Sequence, residues 1–383
     1  MAEVKIEEIS VDHEMLTKLI IHHYTFGRSM FIHGTVGIGK SQTVAEASNI
    51  LALDQERKFF DWNRESEENC TALLSNSNLR SSVFLFADNR LSQMDPSDLR
   101  GLPGLQGAYV KWCQSLLFKI LSMPETKGIL FFDEMNLAVP SVQAAGYQIF
   151  LDHCIGETPL SKGVYVIGAG NRVEDRANIF EMAGPLKNRF CHYTLGIPTL
   201  KKWIEYAMQR EVDDRIIAFL GFRPVHLMQD LNTLADRKSN AFPTPRSWEF
   251  TSDLIKGVSF KKDKEMFRHL TSSCVGFGIS HEFEDFMALQ GQVDIEHLLK
   301  HPEEAEDLPI NISWCLMQAL SERYRSNTKM LGPILGLSRH MRPDCSVSML
   351  RMLIRQSKEA FHKAIMSTPE YQDILTSYFK YLV

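Results

Sequence analysis

The chain has 383 residues, 44% of them hydrophobic and 23% charged, an ordinary soluble composition with room for two or three domains. A formal net charge of −5 provides no overall basic field to recommend nucleic acid as the main partner. The start is charged with no apolar signal region, no run is long enough to span a membrane, and the seven cysteines form no C-x-x-C pair, which argues for a cytoplasmic protein with free thiols and against a zinc ribbon or disulfide framework.

Leu16, Leu19, Ile20 and Tyr24 recur at helical spacing and predict a helix over 12–25. The apolar run 29–33 then reads as a buried strand, and residues 42–53 as a helix. Between them stand Gly34, Thr35, Val36, Gly37, Ile38, Gly39, Lys40 and Ser41, the full phosphate-loop spacing of Gly, four residues, Gly-Lys-Ser. Glycines let successive backbone N–H groups turn toward one anion, and the helix that opens near Gln42 adds its positive end. The nucleotide-binding candidates are therefore residues 34–42. Lys40 is placed to reach the β- and γ-phosphates and Ser41 to hold Mg²⁺.

Residues 54–80 read as polar and irregular, with 65–69 a solvated face or a short helix. A second strand over 82–87 ends in a polar stretch from Asp88 to Gly101, at the strand end where ligands of open α/β sheets bind. The glycine-rich stretch 101–112 follows, and its Tyr109 and Trp112 have two readings: anchors of a loop on the core, or groups that grip a partner.

The apolar strand 129–134 ends in Asp133 and Glu134, about ninety residues after the phosphate loop, as a second nucleotide motif does. Asp133 is the second Mg²⁺ candidate, and Glu134 the base that orients and deprotonates the attacking water. After a helix over 142–153, the strand 163–170 ends at Asn171, suited to hydrogen-bonding that water or the γ-phosphate. Residues 185–190 lead into a short strand over 191–195. From Pro198 onward helical patterns dominate. Thr244 and Pro245 make a helix start, threonine as cap and proline in the first turn, which places Arg246 where it meets either a phosphate or a local acid. Helices are also expected over 309–324, 349–366 and 369–381, with a break at 274–278.

Taken in order, the phosphate loop, Asp133-Glu134, Asn171, Arg189-Phe190 and Arg246 resemble the AAA+ ATPases. The segments 95–101, 133–136, 170–172, 186–190 and 242–248 are similar to the MoxR-like branch found in bacteria and their phages, over about residues 12–260. The resemblance implies a three-layer αβα sandwich whose parallel sheet has the strand order 5-1-4-3-2, within a nucleotide-binding domain over 1–197. It also implies a helical lid over 198–260, leaving a helical region of unassigned role over 261–383. It further implies Mg²⁺-dependent ATP hydrolysis in a homo-oligomeric, hexameric ring, with Arg189 the arginine finger offered to a neighbour and Arg246 a second sensor. Residues 101–112 match an insertion that lies near the central pore in that branch. Its members often work with a von Willebrand A domain partner, remodelling client proteins. Arg172 stands where many relatives have proline, so Arg172 or Arg176 also stands as a candidate for sharing the finger role. A protein remodeller or chaperone is the leading expectation; a DNA motor or loader lacks a basic aromatic track here, and a slowly hydrolysing scaffold is the third reading.

Overall fold

The computed structural model describes residues 9–172, 180, 182, 184–229, 240–289 and 293–367. The chain forms two compact units that divide after Ile197.

The first unit is built on a seven-stranded parallel sheet. Its strands are β1 (Ser10–Val11), β2 (Met30–His33), β3 (Lys58–Asp61), β4 (Val83–Arg90), β7 (Lys127–Asp133), β10 (Gly163–Gly170) and β11 (Cys191–Leu195). Two small hairpins stand apart from it, β5 (Leu102–Gln106) with β6 (Tyr109–Cys113), and β8 (Cys154–Ile155) with β9 (Thr158–Pro159). The sheet runs in the order β1-β11-β2-β10-β7-β4-β3. Counted over β2, β4, β7, β10 and β11, this is the expected 5-1-4-3-2 arrangement, with one further short strand at each edge. The chain therefore adopts the AAA+ type of P-loop sandwich.

The helices of this unit are α1 (His13–Phe26), α2 (Lys40–Asp54), α3 (Glu67–Ser75), α4 (Ser77–Ser82), α5 (Pro96–Arg100), α6 (Leu116–Leu121), α7 (Pro140–Asp152) and α8 (Gly184–Lys187). Central strands β4, β7 and β10 are apolar on both faces because helices cover both, as parallel sheets require. Leu85, Leu130, Phe132, Val164 and Val166 join the core with residues of α3, α6 and α7. The alternating residues Phe84 and Tyr165 meet Tyr24 of α1 on the opposite face.

Residues 54–80 are more regular than the sequence suggested, holding β3, α3 and most of α4. β3 is a four-residue edge strand with Lys58 and Asp61 at its ends, too short and too polar to give a period. Its Phe60 is buried, and Phe59 stacks on Phe86 of β4 with ring centroids 6.2 Å apart. The glycine-rich stretch is also regular. It forms the β5–β6 hairpin, turning at Gly107, where φ is +65°.

The described part of the second unit is helical: α9 (Leu200–Gln209), α10 (Asp214–Phe222), α11 (Pro245–Ile255), α12 (Lys264–Val275), α13 (Phe277–Leu289), α14 (Ile295–Lys300), α15 (Ile310–Ser326), α16 (Leu331–Ser338), α17 (Pro343–Gln356) and α18 (Lys358–Ser367). One hydrophobic core runs through it, from Trp203 through Phe219, Trp248 and Phe283 to Trp314 and Phe361. Buried Asp214 accepts hydrogen bonds from Ser321 at 3.0 Å, Arg325 at 3.0 Å, and Arg355, tying α10 to α15 and α17. Burial of that carboxylate is tolerated because two guanidinium groups face it. The helix expected over 369–381 lies outside the described residues.

Candidate active site

The phosphate loop follows β2 directly. Gly37 and Gly39 have φ of +78° and +94°, values that a side chain at Cβ would strain, and α2 begins at Lys40. Thr35, Gly37 and Ile38 are buried, while Val36 at the loop tip is exposed and so is Gln42 in the first turn of α2. Lys40 is itself buried. Its ammonium donates to the carbonyls of Gly34 at 2.6 Å and Thr35 at 3.0 Å, and reaches the Asn171 side-chain oxygen at 3.4 Å. His13, in the first turn of α1, braces the loop through a 2.6 Å contact between its Nε2 and the Ile38 carbonyl.

The sheet carries the other groups to the same end. Gly170↔His33 is the last register pair between β10 and β2, so Asn171 emerges beside the start of the loop. β7 ends at Asp133, whose Oδ2 accepts a 2.9 Å hydrogen bond from Ser41 Oγ. Its Oδ1 accepts from the Glu134 backbone N–H at 2.8 Å, fixing the carboxylate plane. A hydroxyl and a carboxylate converging in this way are hard oxygen donors that suit Mg²⁺. Glu134 sits in the left-handed region, φ +54°, a conformation that costs a non-glycine residue roughly 1–2 kcal/mol.

Two further residues, Ser92 and Asn136, have places here that the sequence did not reveal. Ser92, in the turn after β4, donates to Glu134 Oε2 at 2.6 Å. Asn136 makes a two-way bridge to the Asn171 backbone, donating to its carbonyl at 2.7 Å and accepting its N–H at 3.1 Å. Gly170 has to be glycine for this bridge, since a Cβ there would collide with Asn136 Oδ1. Arg172 donates to Thr35 Oγ1 at 2.7 Å, which places it in cis against its own phosphate loop. Arg176 lies outside the described residues.

Asp88, on β4, carries a carboxyl pushed up from 3.8 to about 6, first by burial and then by the nearby charge of Asp133. Its Oδ1 is buried with no hydrogen-bond partner among the described residues.

Arg189 is not part of this cluster. It lies exposed two residues before Cys191, which pairs with Met30, whereas the phosphate loop starts after His33. The four residues of β2 and the turns that flank it separate the two levels, up to roughly 20 Å at the rise of an extended chain. Arg246 belongs to the second unit. As expected, Thr244 caps α11, accepting from Ser247 N at 3.0 Å, with Pro245 in the first turn. Arg246 is exposed and acts electrostatically on Glu249, one turn along, whose carboxyl is raised by burial and held back by Tyr206, Arg210 and Arg246.

The strand order, the phosphate loop after β2 and the acid pair ending β7 define the class: a P-loop α/β fold of the AAA+ type. No protein-family model and no curated protein sequence matches the chain. Among solved structures it is similar to a putative ATPase from Cytophaga hutchinsonii, at 16% identity and a TM-score of 0.33 over 52% of this chain and 50% of that one. The chain thus spans about half the length of that ATPase. It is also similar to PCH-2 from C. elegans (11% identity, 73% and 70% of the two chains, TM-score 0.31) and to a K64R mutant of RuvB from Thermotoga maritima (14%, 75% and 74%, 0.30). At such scores the class rests on the strand order and the loop themselves.

Proposed function

We propose that this chain is an ATP-hydrolysing AAA+ protein of the MoxR-like type, assembling as a homo-oligomeric ring that remodels a protein client. The observation that carries the ATPase reading is the convergence of Lys40, Ser41, Asp133, Glu134 and Asn171 at one end of the sheet, with hydrogen bonds joining Lys40 to Asn171 and Asp133 to both Ser41 and Glu134. Residues 34–42 cradle the phosphates of ATP, and Lys40 exchanges its loop carbonyls for the β- and γ-phosphate oxygens. Ser41 and Asp133 hold Mg²⁺, which when bound neutralises charge on those phosphates. Glu134 takes the proton of the attacking water, and Asn171, held by Asn136, orients that water or the γ-phosphate. Arg189 is too far from its own loop to serve it, so it acts as the finger for a neighbour, where such a group is worth about 10³–10⁵ in rate.

Residues 1–197 form the nucleotide domain, 198–260 a lid carrying Arg246 as second sensor, and 261–383 a further helical region. The β5–β6 hairpin meets the client or a von Willebrand A domain partner. Leu105 is 88% exposed and Tyr109 62%, so the hairpin presents its apolar groups outward rather than anchoring a loop on the core.

Subunit complementation tests the shared site. Arg189→Ala and Lys40→Ala proteins should each be inactive alone, and phosphate release should return on mixing, because one supplies the phosphate loop and the other the finger. Full activity in a monomer, established by light scattering, would refute it.

A further inference from the structure

A cavity opens at the opposite end of the sheet from the phosphate loop. It measures about 690 Å³, within the range of small-molecule sites, and is lined by Arg28, Lys162, Arg189, His153 and Asn188 over a floor that includes Phe150. Among the described residues no carboxylate lines it. The three cations come from separate segments, the turn into β2, the turn into β10 and the turn into β11. Among the described residues none of the three forms an ion pair. Elsewhere in the chain, guanidinium groups such as those of Arg215 and Arg268 hold carboxylates.

The segments that carry the cations are fixed by backbone hydrogen bonds. The Arg28 carbonyl accepts from Tyr165 Oη at 2.7 Å and from His23 Nδ1 at 3.0 Å. Ser29 accepts the Cys191 N–H at 3.1 Å, so Arg28 and Arg189 stand at the heads of two adjacent parallel strands. Beside Lys162, Ser161 donates its hydroxyl to the Thr126 carbonyl at 2.8 Å and its N–H to Leu121 at 2.8 Å. Three like charges gathered on a fixed frame repel one another, and an anion relieves that repulsion. Two of the three are arginines, whose planar forks match phosphate oxygens two at a time.

We infer that this cavity is a phosphoanion site, and that its occupant is the polyphosphate of a nucleotide bound to the phosphate loop of a second copy. Arg28 and Lys162 then join Arg189 in one accepting face, so that the finger is a three-cation cluster rather than a single residue. The chain's own nucleotide does not reach it, because the strand length of β2 lies between. This rests on the reading of the chain as an ATPase that works between copies.

The test uses the full chain, with ATP and Mg²⁺ as the probe, and compares wild type, Lys40→Ala and the double variant Arg28→Ala/Lys162→Ala. Both replaced side chains are exposed, so the melting temperature of the double variant should match wild type. By isothermal titration at concentrations below assembly, where only the chain's own phosphate loop holds the nucleotide, it should bind one ATP per chain with wild-type affinity. By sedimentation its ATP-dependent assembly should weaken about tenfold or more, the loss expected for removing charged partners at an interface. Mixing it with Lys40→Ala subunits, whose cation face is intact, should restore phosphate release. The charge-preserving variant Arg28→Lys/Lys162→Arg should assemble normally, which a purely structural role for these side chains does not predict.

Unchanged assembly and turnover in the double variant would overturn the inference while leaving Lys40-dependent ATP binding intact. If Lys40→Ala still bound one ATP, and lost it on addition of the Arg28 and Lys162 substitutions, the cavity would take free nucleotide and the neighbour would be excluded. Duplex DNA bound by wild type and released by the double variant would likewise replace the neighbour with nucleic acid. ATP binding that does not depend on Lys40 in any protein would sink the ATPase reading, and this inference with it.

Discussion

Ser92 Oγ donates a 2.6 Å hydrogen bond to Glu134 Oε2, linking the turn after β4 to the residue that ends the acid pair of β7. A carboxylate oxygen held by a hydroxyl is one oxygen fewer for a catalytic water, and a hydrogen bond to a charged group is worth about 1.5–3 kcal/mol. Ser92→Ala should therefore raise basal phosphate release, by roughly three- to tenfold, with ATP affinity unchanged. A fall in turnover at constant affinity would instead make Ser92 a positioning group for Glu134.

Asp88 makes stability depend on pH in a defined direction. Its carboxyl titrates near 6 in the folded chain, against the ordinary 3.8, so between these values the native state holds a proton that the unfolded state has lost. Stability falls as pH rises through that window, and the cost is complete above it. Asp88→Asn should stabilise the protein by about 1–2 kcal/mol at pH 7.5, partial exposure lowering the effect, and by only a small fraction of that at pH 4. Denaturant titrations at the two pH values check this. An equal difference at both would assign the effect to packing.

The hairpin gives a separate test. Tyr109 and Trp112 are 62% and 39% exposed, so replacing both by alanine should change stability by no more than about 0.5 kcal/mol each, against about 3–5 for a buried aromatic. Basal ATPase should persist and stimulation by the client or partner should vanish. A protein that melts early and loses hydrolysis would return these rings to the core.

Arg246 has a charge partner on its own helix, Glu249. A cation in the first turn opposes the helix dipole by roughly 0.3–1 kcal/mol, and Glu249 offsets part of that. Arg246→Ala should weaken the response of the protein to ATP more than it lowers the melting temperature, as protease protection with and without nucleotide would report. Equal ATP affinity and turnover in the variant would leave the contact with Glu249 as the whole of its role.

The sequence made the central sheet legible because its strands are apolar on both faces and end in recognisable groups. The strands over 163–170 and 191–195 fall where the pattern put them, as does the helix capped by Thr244. β3 was hidden because an edge strand of four residues has no measurable period. The hairpin 102–113 was hidden because glycine and proline read as turn signals, while its pairing is set by register rather than by propensity. Within the candidate site, residues 34–42, Asp133 and Glu134 announce themselves through spacing. Ser92 and Asn136 do not, since each acts on a group at least 35 positions away, through a contact that only the sheet creates. Arg172 stood out by its departure from the familiar proline, and its bond to Thr35 gives that departure a place next to the loop.

The most direct measurement is paired titration and turnover on two variants, Lys40→Ala and Glu134→Gln. If the loop holds ATP and Glu134 activates the water, Lys40→Ala loses ATP binding by isothermal titration, while Glu134→Gln binds ATP as wild type does and releases no phosphate. Wild-type hydrolysis in Glu134→Gln, or wild-type ATP affinity in Lys40→Ala, would contradict the account.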